Sequence, residues 1–367
     1  MTCGGTGGHI NPAIAIAGTV KNNIPNAEIL FVGTKHGKEG ELVGREGYEI
    51  RFVESQGIHR SLSFSNIKAL YTALVSPYKA KKILKEFDPD IVIGTGGYAC
   101  WPMLKAASML HIPSMVHESN AVPGMAVKRL EGLVDKILIN FEETREHLKH
   151  TEKVVRVGNP LKNAFSNMEK NAARVRLGIS KDSFYILSYG GSGGAEFLNE
   201  TMVSVMEIFA KNGAGVILEH AAGSRDFAAT QSRFVSLGLD RCDKFTLREY
   251  IYDMPLRMAA ADLVICRAGA MTLSELAMMG KASILIPSPN VPNDHQYKNA
   301  KVLADAGAAC LLREADLTPQ LLVKNIEHCL TNEGVRKRME LLVKNFADAD
   351  ANRRIYEEIL ALVKTKK

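Results

Sequence analysis

No apolar run in this chain of 367 residues approaches the roughly 18 needed to span a bilayer. Its first residues carry neither the basic nor the apolar segment of a secretory signal, so a chain neither secreted nor integral to a membrane is expected. That leaves peripheral attachment open. Six cysteines (Cys3, Cys100, Cys242, Cys266, Cys310 and Cys329) are scattered without a CxxC pair or metal-ligand spacing. No disulfide framework or structural metal site is signalled, and a reducing cytosolic compartment is the simplest setting. Charge of one sign is also scarce: 46 Lys and Arg face 40 Asp and Glu, a net +6 that does not call for a nucleic-acid partner. Low-complexity tracts are absent, and no glycine loop continues into the Gly-Lys-Ser/Thr of a nucleotide-binding P-loop.

What is present is an alternation. Short Ile- and Val-rich runs, "EILFVG", "DIVIGTGG", "SMVHES", "DKILIN" and "KVVRVGN", are separated by segments of helical period. Such runs read as parallel strands buried on both faces. After a polar stretch at residues 161–183 the rhythm restarts with "FYILSYGGSGG", "AGVILEHAAGS", "DKFTLREYI", "ADLVICRAG" and "KASILIPSP". The expected fold class is therefore α/β, with two Rossmann-like domains at residues 1–159 and 160–345 and a linker near residues 159–162. The helical tail, residues 346–367, suits packing on its own domain or back on the first.

Three glycine loops sit where strands should end: residues 4–9 (GGTGGH), 94–98 (GTGGY) and 190–195 (GGSGGA). Glycines there let a backbone approach a ligand, and the next helix offers unpaired N–H groups and partial positive charge, which suits an anion. Each loop taken singly also suits tight strand-to-helix packing. Asn11 is placed to cap a helix with Pro12 at its first position, and Ser192 falls in the turn before the helix "AEFLNETMVSVMEIFA". None of the loops fits a dinucleotide fingerprint, which disfavours an NAD-dependent oxidoreductase.

In the second half, "CRAGAMTLSELAMMG" ends a strand at Arg267 and starts a helix carrying Glu275. A carboxylate near a helix start has an ordinary electrostatic explanation. It is also a bidentate acceptor suited to two vicinal ribose hydroxyls. The long loop "PSPNVPNDHQYKNA" leads to a helix beginning near His295 and Gln296, and Gln296 both donates to and accepts from sugar hydroxyls.

In order along the chain, "GGTGGHINPAIAIA", "GTGGY", "HESNAVPG", "VGNPLK", "GGSGGA", "EYIYDM", "CRAGAMTLSE" and "DHQYKNA" resemble the motif series of the MurG family. Its members are bacterial N-acetylglucosaminyltransferases that convert lipid I to lipid II in peptidoglycan synthesis. The resemblance implies the B-type glycosyltransferase fold, two Rossmann-like domains facing a cleft, with UDP-N-acetylglucosamine bound by the C-terminal domain. It implies that the backbone at Ile251 reads uracil and that Ala270, Met271, Thr272, Leu273, Ser274 and Glu275 form the ribose turn. Ser192 would lie against the diphosphate and Gln296 against the transferred sugar. Thr6, Gly7, Gly8, Asn120 and Lys162 would complete the donor contacts. Lys162 stands where relatives commonly have arginine, which keeps the charge and loses the planar fork.

The implied reaction is inverting, the acceptor's 4-hydroxyl attacking the anomeric carbon as UDP leaves. His9 is the candidate base, histidine being the side chain that ordinarily titrates near neutrality. The same residue also suits a hydrogen bond to backbone at a helix start, the less favoured reading, and His117 and Glu118 are weaker candidates. Helix N-termini and Lys162 are expected to stabilise the departing UDP, with no obligatory cofactor or protein-bound metal and free magnesium assisting.

A polyprenyl-linked acceptor implies peripheral attachment to an anionic bilayer, on the cytoplasmic face of the bacterial membrane. Residues 64–87 pair apolar Ile67, Leu70, Leu74 and Val75 with Lys68, Lys79, Lys81, Lys82 and Lys85, which suits that surface or a crossover helix with a solvated basic end. Rival readings are a diacylglycerol-type glycolipid glycosyltransferase of the same fold and a catalytically idle nucleotide-sugar binding protein. Relatives place an apolar strand before the first glycine loop, where only Met1, Thr2 and Cys3 stand. The expectation is a first sheet lacking its first strand, or a start assigned too late, the latter favoured. Restoring upstream codons for such a strand is expected to raise the melting temperature.

Overall fold

The computed structural model describes residues 1–35, 37–55, 64–213, 215–291 and 294–364, with the side chains of 64–73 outside the described set. Two compact units divide the chain: Met1–Lys162 with Asp348–Lys367, and Asn163–Ala347.

In the first unit, strands β1 (Leu30–Gly33), β2 (Glu49–Phe52), β3 (Val92–Gly94), β4 (Ser114–Glu118), β5 (Lys136–Ile139) and β6 (Val154–Arg156) accompany helices α1 (Gly7–Asn23), α2 (Glu39–Arg45), α3 (Phe64–Phe87), α4 (Cys100–Met109) and α5 (Met125–Leu130). β1 pairs with β2, and β3 to β6 pair in sequence, all in parallel. Between β1 and β3 lies Thr2, bridged in parallel to Val32 and to Gly94. The Thr2 amide donates to the Ile93 carbonyl at 2.8 Å, the Val32 amide to Met1 at 2.9 Å, and the Thr95 amide to Thr2 at 3.1 Å. Among the described residues only these isolated bridges join the two sets of strands, so the first sheet lacks a regular first strand, as expected.

The second unit begins with α6 (Ala164–Asn167) and α7 (Lys170–Leu177). Its strands are β7 (Phe184–Tyr189), β8 (Val216–Ala221), β9 (Phe245–Arg248), β10 (Leu263–Cys266), β11 (Ser283–Leu285) and β12 (Cys310–Leu311). Its further helices are α8 (Glu196–Asn212), α9 (Phe227–Ser236), α10 (Met254–Ala260), α11 (Ala270–Met279), α12 (His295–Asp305), α13 (Pro319–Thr331) and α14 (Glu333–Val343). The strand order is β9-β8-β7-β10-β11-β12. Counted from its own first strand, the second unit has the doubly wound order 3-2-1-4-5-6; in the first unit β2-β1 and β3-β4-β5-β6 lie on either side of Thr2.

Helices on both sheet faces explain the apolar runs. In β3, Val92 enters one core with Val32, Val116, Ile137 and Leu104, while Ile93 enters the other with Ile16, Met115 and Leu138. That second core is completed by Ile355 and Ile359 of α15 (Ala351–Lys364), so the last helix belongs to the first unit. Asn352 of α15 exchanges hydrogen bonds with both the amide (3.1 Å) and carbonyl (2.7 Å) of Leu161. Strand β2 is exposed to partly exposed along its length and β12 has two residues, so neither offers an apolar run to recognise.

Candidate functional site

In a doubly wound sheet, ligands bind beyond the carboxyl ends of the strands, where the strand order reverses. In the first unit that point lies between Thr2 and β3, and the two loops leaving it are residues 4–6 and 95–99. Helix α1 starts earlier than Asn11 and Pro12 suggest. Extended Thr6 is its N-cap, its carbonyl accepts from the amides of His9 (3.0 Å) and Ile10 (3.1 Å), and Pro12 lies inside the helix. The correction has a simple cause: a proline past the first turn forfeits the amide bond it cannot make, and the helix closes on Thr6 regardless. Gly7, Gly8 and His9 therefore form the first turn, at the positive end of the helix dipole.

The His9 ring is fixed by the other loop. Its Nδ1 lies 3.0 Å from the Thr95 carbonyl, while the Thr95 hydroxyl donates to the His9 carbonyl at 2.6 Å. A carbonyl only accepts, so Nδ1 carries the proton and Nε2 is the basic nitrogen. Gly96 has φ +104°, and a Cβ there would sit 2.5 Å from His9 Nδ1, so glycine is what admits the ring. The loop's other support is Glu39 of α2, fully buried, whose Oε1 accepts from the Gly5 amide (3.0 Å) and from the Thr34 amide (3.3 Å) and hydroxyl (2.9 Å).

Beyond β4, Glu118 accepts from the Asn120 amide (2.9 Å), the Asn120 side chain (3.0 Å) and the Gly124 amide (2.9 Å). That carboxylate shapes the loop and orients Asn120. His117 is fully buried, and its Nε2 meets the Gly158 carbonyl at 2.9 Å. Burial pushes its pKa down to about 4. Both weaker candidates are buried, whereas His9 is partly exposed. Lys162 pairs with Glu46 at 2.6 Å.

In the second unit the order reverses between β7 and β10. Residues 190–195 leave β7 and run into α8, with partly buried Ser192 just ahead of the helix N-terminus. Gly194, at φ +86°, packs so closely on the Ala222 carbonyl that a side chain would collide with it. Asn199 of α8 donates to that same carbonyl at 2.9 Å. Fully buried His220 bridges Ser188 Oγ (3.1 Å) and Asn199 Oδ1 (3.0 Å), and burial pushes its pKa down to about 3. A neutral imidazole thus braces the floor of the loop.

After β10, α11 carries buried Ala270, Met271, Leu273 and Glu275, with Thr272 and Ser274 partly exposed. Glu275 lies beyond the first turn, where the favourable dipole interaction fades, so that ordinary explanation loses force. Ile251 is buried in the segment joining β9 to α10. Gln296 is the second residue of α12, and its Oε1 accepts from the Ser288 amide at 2.9 Å. Sequence reasoning missed Thr95 as the partner of His9, Glu39 as the support of Gly5, and Arg267 as the clasp between β10 and β11, donating to Ile286 and Pro287 and pairing with Glu314 at 2.5 Å. Thr95 lay within "GTGGY" and Arg267 within "CRAGAMTLSE", whereas Glu39 lay in no motif. Among the described residues no group of three or more His, Cys, Asp or Glu side chains could hold a metal ion, and no helix is long and apolar enough to cross a membrane.

Two doubly wound parallel sheets, each with glycine loops and a helix N-terminus at its reversal point, are the architecture of the two-domain B-type glycosyltransferase fold. Residues 1–139 match the glycosyltransferase family 28 N-terminal domain and residues 185–355 the family 28 C-terminal domain. A Thermoanaerobacter protein (strain X514) named UDP-N-acetylglucosamine–N-acetylmuramyl-(pentapeptide) pyrophosphoryl-undecaprenol N-acetylglucosamine transferase is 43% identical over 359 residues, 98% of each chain. One of the same name from Acetivibrio thermocellus is 40% identical over 363 residues, covering 99% of this chain and 97% of its own. The crystal structure of Acinetobacter baumannii MurG aligns with a TM-score of 0.68 at 28% identity over 98% of each chain. The chain belongs to the MurG family of these transferases.

Proposed function

We propose that this chain is an inverting hexosyltransferase that moves N-acetylglucosamine from UDP-N-acetylglucosamine to the 4-hydroxyl of the N-acetylmuramoyl moiety of lipid I, making lipid II for peptidoglycan synthesis and cell-wall biogenesis. Likeness over 98% of the chain to relatives named for this transfer carries the reading. In it, His9 Nε2 takes the proton of the attacking hydroxyl, its tautomer set by the Thr95 carbonyl. The backbone at Ile251 reads uracil, Glu275 in the turn of residues 270–275 accepts the two ribose hydroxyls, and Gln296 binds the sugar. Ser192 and the start of α8 meet the charge that builds on UDP. Thr6, Gly7, Gly8 and Asn120 complete the donor contacts, and Lys162 joins them by exchanging Glu46 for a phosphate oxygen. No cofactor or protein-bound cation is required, and free magnesium assists from solution. The test is UDP release with a lipid I analogue as acceptor. Tight UDP-N-acetylglucosamine binding without that release would overturn the reading.

The acceptor's lipid requires attachment to the cytoplasmic face of the membrane. Support comes from α3, whose Ser76, Pro77, Ala80 and Leu84 are buried while Leu74, Tyr78, Lys82 and Lys85 are exposed along one stripe. Two apolar side chains followed by two cations suit an anionic interface. Lys79 and Lys81 flank the stripe, Lys81 lying 5.8 Å from the Tyr78 ring; the side chains of Ile67, Lys68 and Leu70 lie outside the described residues. Sedimentation with anionic vesicles should fall for a Lys79→Glu, Lys81→Glu, Lys82→Glu variant. Equal binding would count against the attachment.

A further inference from the structure

Both ends of the segment between β9 and α10 are tied to one carboxylate. Glu219 stands in the middle of β8 and is 4% exposed. A carboxylate inside a parallel sheet carries a desolvation penalty that only close cations and donors offset. Here Arg248, the last residue of β9, donates through Nε to Glu219 Oε1. Arg257, one turn into α10, donates to Oε2 at 2.6 Å and, through its own Nε, to Asp253 at 2.9 Å. The Tyr185 hydroxyl of β7 donates to Oε2 at 2.9 Å. Two carboxylates and two guanidiniums balance in charge. The backbone is anchored alongside, the Ala222 amide donating to Arg248 and the Gly223 amide to Glu249, both at 2.9 Å.

Residues 249–253 are the whole segment between β9 and α10, and buried Ile251 is at their centre. We infer that Glu219 is a positioning residue that pins both stems of this segment, so that the Ile251 backbone discriminates the donor's base. The inference rests on the proposed reading of uracil by Ile251. An amide N–H and its neighbouring carbonyl select uracil because its O4 accepts and its N3–H donates, whereas cytosine presents the reverse pattern. Such a reader selects only if held to within about 0.5 Å, and a backbone has no rotamer with which to compensate. The strand position would by pattern be apolar, and Leu218 and His220 beside it are fully buried without any ion pair. The charge at Glu219 does something the core does not need.

The test uses the full-length enzyme with Glu219→Gln, which keeps size and an acceptor oxygen for Tyr185 but removes the charge, and Arg248→Gln, which releases only the β9 stem. The donor KM is expected to rise about tenfold in either, kcat and the acceptor KM staying within about twofold, because base binding is shared by ground and transition states. The preference for UDP over CDP as inhibitor should shrink by a similar factor. Should Glu219→Gln fail to fold, Arg248→Gln carries the measurement, its side chain being 42% exposed. Wild-type donor KM and UDP preference in a folded variant would overturn the inference, as would a loss confined to kcat. Ile251→Pro separates the two levels. If it leaves UDP affinity intact, the base-reading assignment fails and the pin with it. If it weakens UDP while the Glu219 and Arg248 variants do not, the pin alone fails.

Discussion

A histidine donating from Nδ1 to a main-chain carbonyl is locked in one tautomer and one orientation, and His9 has that arrangement with Thr95. Loss of a positioned general base typically costs 10²- to 10⁴-fold in rate, so His9→Ala should lower kcat by about that factor while donor KM changes little. Steady-state kinetics with a soluble acceptor analogue would show it, and a His9→Ala enzyme of undiminished kcat would move the base elsewhere. Glu275 offers a binding counterpart. Removing a buried acceptor of two ribose hydroxyls should weaken UDP by roughly 10- to 100-fold, equivalent to about 1.5–3 kcal/mol. Glu275→Ala with full donor affinity, measured calorimetrically, would refute the ribose assignment. The candidates His9 and Glu275 were legible because both sit in motifs at strand ends. The demotion of His117 was not, since a histidine in "HESNAVPG" reads the same whether it faces solvent or, as here, a buried Gly158 carbonyl.

The glycine loops owe their shape to contacts between elements. Gly96 lies where the loop after β3 touches the first turn of α1, at a positive φ and against the His9 ring. Gly96→Ala should therefore cost about 1–3 kcal/mol of strain. It should also shift the imidazole, lowering kcat more than it lowers donor affinity; a thermal melt with a kinetic assay separates the two effects, and an unchanged kcat would detach His9 from that loop. Elements with buried apolar runs, β1, β3, β4, β7 and β10, follow the expected segments closely. The partly exposed β2 and the two-residue β12 left no period to detect, and α1 begins at Gly7 because its cap is a backbone carbonyl rather than the Asn11 side chain.

His117 and His220 are neutral imidazoles deep in the interiors of the first and second units, and that sets an acid limit on stability. His117 and His220 have folded pKa values of about 4 and about 3 against an ordinary 6.5. The unfolded chain binds the extra protons, so the stabilisation is complete above pH 6.5 and is lost as pH falls from there toward 4. Each histidine accounts for about 3–5 kcal/mol across its window. Urea midpoints should drop between pH 6.5 and 4, less steeply in His220→Gln; a midpoint independent of pH over that interval would contradict the burial argument. The two-domain architecture follows from patterns that chain neighbours carry alone: apolar runs too continuous for a half-exposed sheet, glycines at their ends, and motifs in a set order. Packing decided the rest. His9 meets Thr95 across 86 positions, Asn352 meets Leu161 across 191, and Glu219 meets Arg248 across 29. No local period encodes a pairing between residues so far apart, so the choice of core for the last helix, the tautomer of the candidate base and the pinned segment at Ile251 arise only when the sheets assemble.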